Sequence, residues 1–305
     1  MQPRRSAGLE KSYQMAMHGL ALRLGAPRSR QLGRCSSLKS ANQACRLTAY
    51  QTMPQVNEKT TFFTLPTELR LEIAAYALEQ PDAGLTRQHR PGEKRDHFRV
   101  DSKYKPSNNL AIRLVCRQFN ADFFRLAIQK TLFVLPKDST WVIHQQSDAL
   151  LRDVKKLKVH YNPGDIKRWE MFPLNKPCMH LDQLELVIML EDSKSRKALV
   201  DLFRRLQNVK EIRLLAQGSG LASWGSHEFV RLLGEMLKED HYQRYDAPNA
   251  PDLEHSWWDW SYSDDLGQAI FVAQQPKPIM LEEDYMLLMK PNVDYIIECM
   301  VSYST

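Results

Sequence analysis

Leu181-Asp-Gln-Leu184-Glu-Leu186 is the middle of three copies of one pattern. Val154-Lys-Lys-Leu157-Lys-Val159 precedes it and Val209-Lys-Glu-Ile212-Arg-Leu214 follows, each with aliphatic residues at the first, fourth and sixth places and polar or charged residues between. The central residues Leu157, Leu184 and Ile212 stand 27 and 28 positions apart. Apolar alternation over the last residues of each copy predicts a strand. The spacing leaves room for a returning helix, and Ala198, Leu199, Leu202, Phe203 and Leu206 supply one at helical period. After the third copy, Ser226 is placed to cap another helix with Phe229, Val230, Leu233, Met236 and Leu237 inward.

A strand pattern of this form, repeating within roughly 20 to 29 residues, is the signature of leucine-rich-type repeats, in which each strand and helix stacks on the next. The match is degenerate. The Asn of the turn position is present only in the first copy, as Asn162, with Met189 and Gln217 at the equivalent places.

Toward the N-terminus the pattern changes. In Leu65-Pro66-Thr67-Glu68-Leu69, Pro66 suits a first helical position and Glu68 complements the positive helix end. Leu69, Ile73, Tyr76 and Ala77 then recur at helical spacing, which predicts one buried face of a short helix. Residues 80–109, with three prolines and two glycines, read as a long exposed loop. Asn108 or Asn109 caps a further predicted helix carrying Ile112, Val115, Cys116, Phe119 and Phe123, and Thr131 to Leu135 reads as a short buried strand stopped by Pro136.

Toward the C-terminus, Trp257, Trp258 and Trp260 form an aromatic cluster flanked by acids. Such a cluster either covers the open end of a core or forms a partner surface. Ile270 to Ala273 and Tyr295 to Val301 are expected as closing strands, with a short helix starting at Glu282, Glu283 and Asp284 and ending at Pro291.

Charge is unevenly placed. Residues 1–60 hold ten Lys/Arg against two acids, so a chain of net +6 carries +8 in this tail and −2 in the remainder. The part expected to fold has no cationic excess for phosphate binding, so nucleic acid is not an expected partner. Residues 1–58 have the composition of a disordered basic tail. Its Arg-rich, acid-poor start, with Met15, Met17, Leu20 and Leu24, also has the character of a mitochondrial targeting segment. No apolar run reaches the length of a membrane span. Cys35, Cys45, Cys116, Cys178 and Cys299 form no C-x-x-C pair and read as reduced thiols of a cytoplasmic or nuclear protein.

Motifs for chemistry are missing from the sequence. It contains no phosphate-binding glycine loop, no H-E-x-x-H and no G-x-S-x-G. No catalytic residue, metal ligand or cofactor is assigned, and an α/β enzyme with a site assembled only in three dimensions is the remote alternative.

Two segments together resemble a known family. Phe63-Thr-Leu65-Pro66-Thr-Glu68-Leu69-Arg-Leu71-Glu-Ile73 is similar to the opening L-P-x-E-L helix of F-box domains, particularly the fungal F-box-like group, and Leu114-Val115-Cys116-Arg117-Gln118-Phe119 is similar to the later V-C-R-x-F helix. The resemblance implies that Leu65, Pro66, Leu69, Ile73, Val115 and Phe119 dock a Skp-family linker protein of a cullin-type ubiquitin ligase, while the repeats hold an unknown protein substrate. It covers about residues 61–135 and departs from the family in the insertion at 80–109. The expected organisation is α+β: a tail at 1–58, an F-box-like module at 59–135, and a repeat domain at 136–305. The expected function is that of a non-enzymatic adaptor, with a scaffold module working without a ligase as the alternative.

Overall fold

A computed structural model of the chain describes residues 61–80, 84–88, 97–101, 103–135, 143, 145–161, 174, 176–189, 196–217, 222–263 and 267–302. The expected disordered tail and Asn162 lie outside the described residues. Two compact units divide the chain, Met1–Arg70 and Leu71–Thr305, and the division falls inside helix α1, Thr67–Ala77.

In the first unit, Phe62–Thr64 form a single 3₁₀ turn before α1. The Thr61 amide donates to Thr64 Oγ1 at 3.1 Å, and the Thr64 hydroxyl donates back to the Thr61 carbonyl at 2.8 Å. That reciprocal pairing stops the chain from running extended into the helix. The Arg70 amide then donates to the carbonyl of Pro66 at 3.1 Å, so Pro66 stands just before the helix, at its cap, and Thr67 takes the first helical position expected of the proline.

The second unit is built on a six-stranded sheet. Strands β1 (Leu85–Gln88) and β2 (His97–Val100) pair antiparallel as a separate hairpin; α2 (Ser107–Leu110), α3 (Arg117–Lys130) and β3 (Leu132–Leu135) follow. Then come α4 (Asp148–Asp153), β4 (Lys156–Tyr161), β5 (Gln183–Met189), α5 (Arg196–Arg205), β6 (Glu211–Gln217) and α6 (Ala222–His241). The chain closes with β7 (Leu253–Glu254), β8 (Trp257–Ser263), β9 (Gln268–Gln274), β10 (Lys277–Pro278) and α7 (Glu282–Ser302). The sheet runs β3-β4-β5-β6-β9-β8, the first four strands parallel and the last two antiparallel. This is a mixed α/β fold.

The three sequence copies align in space as they do in sequence. Leu157 lies opposite Leu184, and Leu184 opposite Ile212, while Val159, Leu186 and Leu214 form the next row. The first-position residues Leu181 and Val209 form their own parallel bridge. These rows are buried, and Phe203 of α5 packs on Phe271, which stands opposite Ile212, so α5 covers this face. Each large apolar side chain buried here contributes about 1.5–3 kcal/mol.

Several expectations are overturned. The strand at Leu132–Leu135, expected to close the first module, is the first strand of the main sheet, paired to β4, so the boundary expected at 135 falls between neighbouring strands. The insertion at 80–109 is not simply an exposed loop. It contains the hairpin, and Gly84 and Tyr104 stand over Val134, which lies in register with Lys158 on the second face of the sheet. The Tyr104 hydroxyl donates to the carbonyl of Leu132 at 2.8 Å. With that face covered, β4 and β5 are buried on both sides, as parallel strands usually are. The buried ion pair Lys158–Glu185 lies on this second face, at 2.7 Å.

Ser226, expected at the cap of this helix, lies inside it, because α6 begins at Ala222. Tyr295–Val301 is helix and not strand: α7 continues past Pro291, which is exposed, and buries Tyr285, Met289, Ile296 and Cys299 along one side. Spacings of four, seven and three residues keep those four on a single helical face.

Candidate functional site

The face that α1 buries is not the one its apolar period suggested. Ala74 and Leu78 are the buried residues, whereas Leu69 and Ile73 are each 47% exposed and Tyr76 is 85% exposed. Helical period puts Leu69, Ile73 and Tyr76 on one side of α1. Leu65 is half-buried and Pro66 and Ala77 are exposed.

The later F-box-like segment is also not one helix. A short α2 passes into a 3₁₀ turn at Ala111–Leu114, and the chain extends at Cys116 before α3 starts. Cys116 is the cap: its sulfur accepts the Phe119 amide at 3.4 Å. Leu114 and Val115, on the turn before it, are 77% and 64% exposed. Phe119 turns partly inward, its ring 5.3 Å from that of buried Phe123. Asn109, expected as a cap, instead donates to the Leu78 carbonyl at 3.2 Å and to Thr131 Oγ1 at 3.0 Å. That amide joins the end of α1 to the end of α3, which lie far apart in sequence. Of the six residues implied by the resemblance, Leu69, Ile73 and Val115 are thus large apolar groups left in water, Pro66 is exposed, and Leu65 and Phe119 are partly covered.

Comparison with protein-family models finds no matching model, and searches of the curated proteins and of the solved structures return no match. The arrangement of side chains is therefore the ground for a functional reading.

The tryptophan cluster forms a core, not a surface. Trp257 and Trp258 are buried, and Trp260 is half-buried. The Trp258 indole donates to the Phe203 carbonyl at 3.0 Å, and the Ser256 hydroxyl to the Leu206 carbonyl at 2.7 Å. Those carbonyls belong to the end of α5, where no further turn of helix satisfies them. Trp257 packs against Tyr285 and Met289 of α7. The expectation of a three-tryptophan partner surface fails because two of the rings fasten β8 to the helices.

Beside this core lies a charged network that the sequence did not announce. The residues Tyr242–Asp246 continue α6 as a π-helical turn and carry Arg244 inward, where it is 5% exposed. Arg244 Nε donates to Asp240 Oδ2 at 2.5 Å and its Nη1 lies 2.5 Å from Glu254 Oε1. Its guanidinium sits 4.4 Å from the centre of the Trp257 ring, and Lys277 Nζ approaches that ring to 3.5 Å. Burial opposes the Arg244 charge, but Asp240 and Glu254 outweigh it and raise its pKa above the usual arginine range. The same burial pushes the Glu254 carboxyl up, against the pull of Arg244. Burial, and then the charge of Asp240, which accepts its hydroxyl at 3.0 Å, push the Tyr285 phenol up. The i, i+4 spacing of Asp240 and Arg244 was the one available sequence signal. Glu254 joins them only through the fold.

Among the described residues no group of three or more His, Cys, Asp or Glu is placed to hold a metal ion, and no helix is long and apolar enough to cross a membrane.

Proposed function

We propose that this chain is a non-enzymatic adaptor: its F-box-like segments dock a Skp-family linker of a cullin-type ubiquitin ligase, and its sheet domain holds a protein client. The observation that carries the reading is exposure. Leu69, Ile73, Leu114 and Val115 lie on the two segments that resemble the family, and each leaves large apolar surface in water while Ala74, Leu78, Phe123, Ala127 and Ile128 face inward. Large apolar groups kept on a surface are characteristic of interaction sites. The mechanism is proximity alone, one protein binding two partners so that a recruited ligase acts on the client.

A second reading, an interaction module that works without a ligase, draws support from the insertion between the two segments. Its described residues include a pair of antiparallel strands, and Tyr104 ties it to β3.

Pulldown of the chain with a purified Skp-family linker tests the first reading, comparing wild type with Leu69→Asp/Ile73→Asp. Both positions are exposed, so the variant is expected to unfold within about 1 kcal/mol of wild type, and Ala74→Asp, at a buried position, is the control that loses the fold. Binding by wild type that the folded double variant loses is the expected result. A well-folded wild type that ignores the linker overturns the ligase reading and leaves the stand-alone module.

A further inference from the structure

The main sheet ends differently at its two edges. At one edge β3 buries all four of its residues and gives its Leu132 carbonyl to the Tyr104 hydroxyl. At the other, β8 pairs along seven residues with β9 and has no second strand neighbour among the described residues. Its Asp259 and Ser261 are exposed, and Trp260, Tyr262 and Ser263 are half-buried. A strand paired on one side only presents a row of backbone N–H and C=O groups on the other, and such edges are ordinarily blunted by lysine, proline or a bulge. β8 has neither lysine nor proline, its ladder to β9 runs unbroken, and its one charge is Asp259.

Helix α7 flanks that edge. Tyr285 packs on Trp257 at the start of β8, and the Tyr295 ring lies 5.9 Å from that of Tyr262 near its end, so the helix runs along the strand. Glu282 and Ile296 meet His241 and Gly234 of α6, which places α6 on another side. Leu281, just before the helix, Leu288 and Tyr295 are spaced by seven residues and share the side turned toward β8. They are 75%, 50% and 40% exposed.

Only another strand completes an edge strand, and the apolar flank of α7 above it calls for an apolar layer above that strand. A second copy of the same edge supplies both. A twofold axis through the sheet at Trp260 pairs all seven residues of β8 antiparallel with their equivalents, so that Trp258 stands opposite the partner's Tyr262 and Asp259 opposite the partner's Ser261. Each carboxylate then meets a hydroxyl that donates to it, and no like charges stand opposite one another. The same rotation turns the Leu288 sides of the two α7 helices toward each other.

We propose that the chain forms a twofold dimer through β8, in which the sheet continues from one subunit into the next and the two α7 helices close over the junction. The proposal does not rest on the adaptor reading.

The test is sedimentation of the full chain from micromolar to hundreds of micromolar, with no linker protein. Expected is a reversible monomer–dimer equilibrium. Ser261→Asp sets like charges opposite each other twice per dimer and raises the dissociation constant by about five-fold or more, an effect that shrinks with added salt. Ser261→Lys sets opposite charges there and lowers it. Both substitutions fall at one exposed position, so a fold defect, checked by circular dichroism, cannot produce opposite effects. Leu288→Asp also weakens the dimer. A chain that stays monomeric throughout overturns the proposal and leaves the edge to a strand of another protein. A dimer that Ser261→Asp and Ser261→Lys shift in the same direction, or that none of the variants shifts, overturns it equally, because its interface then lies elsewhere.

Discussion

Removing one member of the Lys158–Glu185 pair exposes how the sheet tolerates charge in its interior. Lys158 Nζ lies 2.7 Å from Glu185 Oε2, and the two side chains are 1% and 9% exposed. At an effective dielectric of about 20, that separation corresponds to about 6 kcal/mol of attraction. Desolvation of the two ions costs several kcal/mol each and largely offsets it. The pair as a whole is thus close to neutral, but a survivor is not. In Lys158→Met, Glu185 keeps its 2.6 Å bond from the Gln183 amide yet loses its countercharge, and Arg213 on its other side is already engaged with Glu211 at 2.5 Å. Lys158→Met and Glu185→Leu are each expected to destabilise by about 3–5 kcal/mol, while the double variant returns to within about 1–2 kcal/mol of wild type or exceeds it. Urea unfolding of the four proteins measures the cycle. Additive losses in the double variant, or a single variant within error of wild type, refute the argument that the charges are dry and mutually dependent.

Two further outcomes bear on the covered face. Gly84 has φ +73°, and a Cβ there stands 2.7 Å from Val134 Cγ2, so Gly84→Ala combines a left-handed backbone penalty with overpacking and is expected to cost about 2–4 kcal/mol in urea unfolding; a neutral effect refutes the close approach. Burial first, and then the charge of Glu185, push the Tyr104 phenol up from 10.0 to about 12. Between these values the unfolded chain has released the proton and the folded chain keeps it, so stability falls as pH rises through that window. Tyr104→Phe is expected to flatten this decline relative to wild type, and parallel curves count against burial of the hydroxyl.

The repeated strands were legible because their information is local and periodic. Leu157, Leu184 and Ile212 alternate with polar neighbours at a near-constant interval, and the sheet places them in one row. The helix at Arg196–Arg205 was legible for the same reason. In α1 the period was real but its direction was not readable. Leu69, Ile73 and Tyr76 are as apolar as a buried stripe, yet the helix buries the small Ala74 and the later Leu78. Periodicity says which residues share a face, and only packing says which face meets the core.

The remaining features were set by contacts between distant parts of the chain. Pro291 suggested a helix end, but an exposed proline costs the helix a bond without stopping it when Tyr285, Met289, Ile296 and Cys299 all bury on one side. The insertion looked polar and loop-like, and its role over Val134 depends on Gly84 and Tyr104 meeting a strand some 30 to 50 residues further on. Trp257 and Trp258 announced a cluster, though not that their partners would be Tyr285 and the carbonyl of Phe203. By itself the sequence determined five strands of the main sheet, β3, β4, β5, β6 and β9, the positions of the helices at Thr67–Ala77 and Arg196–Arg205, and the spacing of the three similar strands, because backbone propensity and apolar period act over a few residues. Burial and charge pairing were decided by tertiary structure, because each depends on which distant side chains exclude water from it.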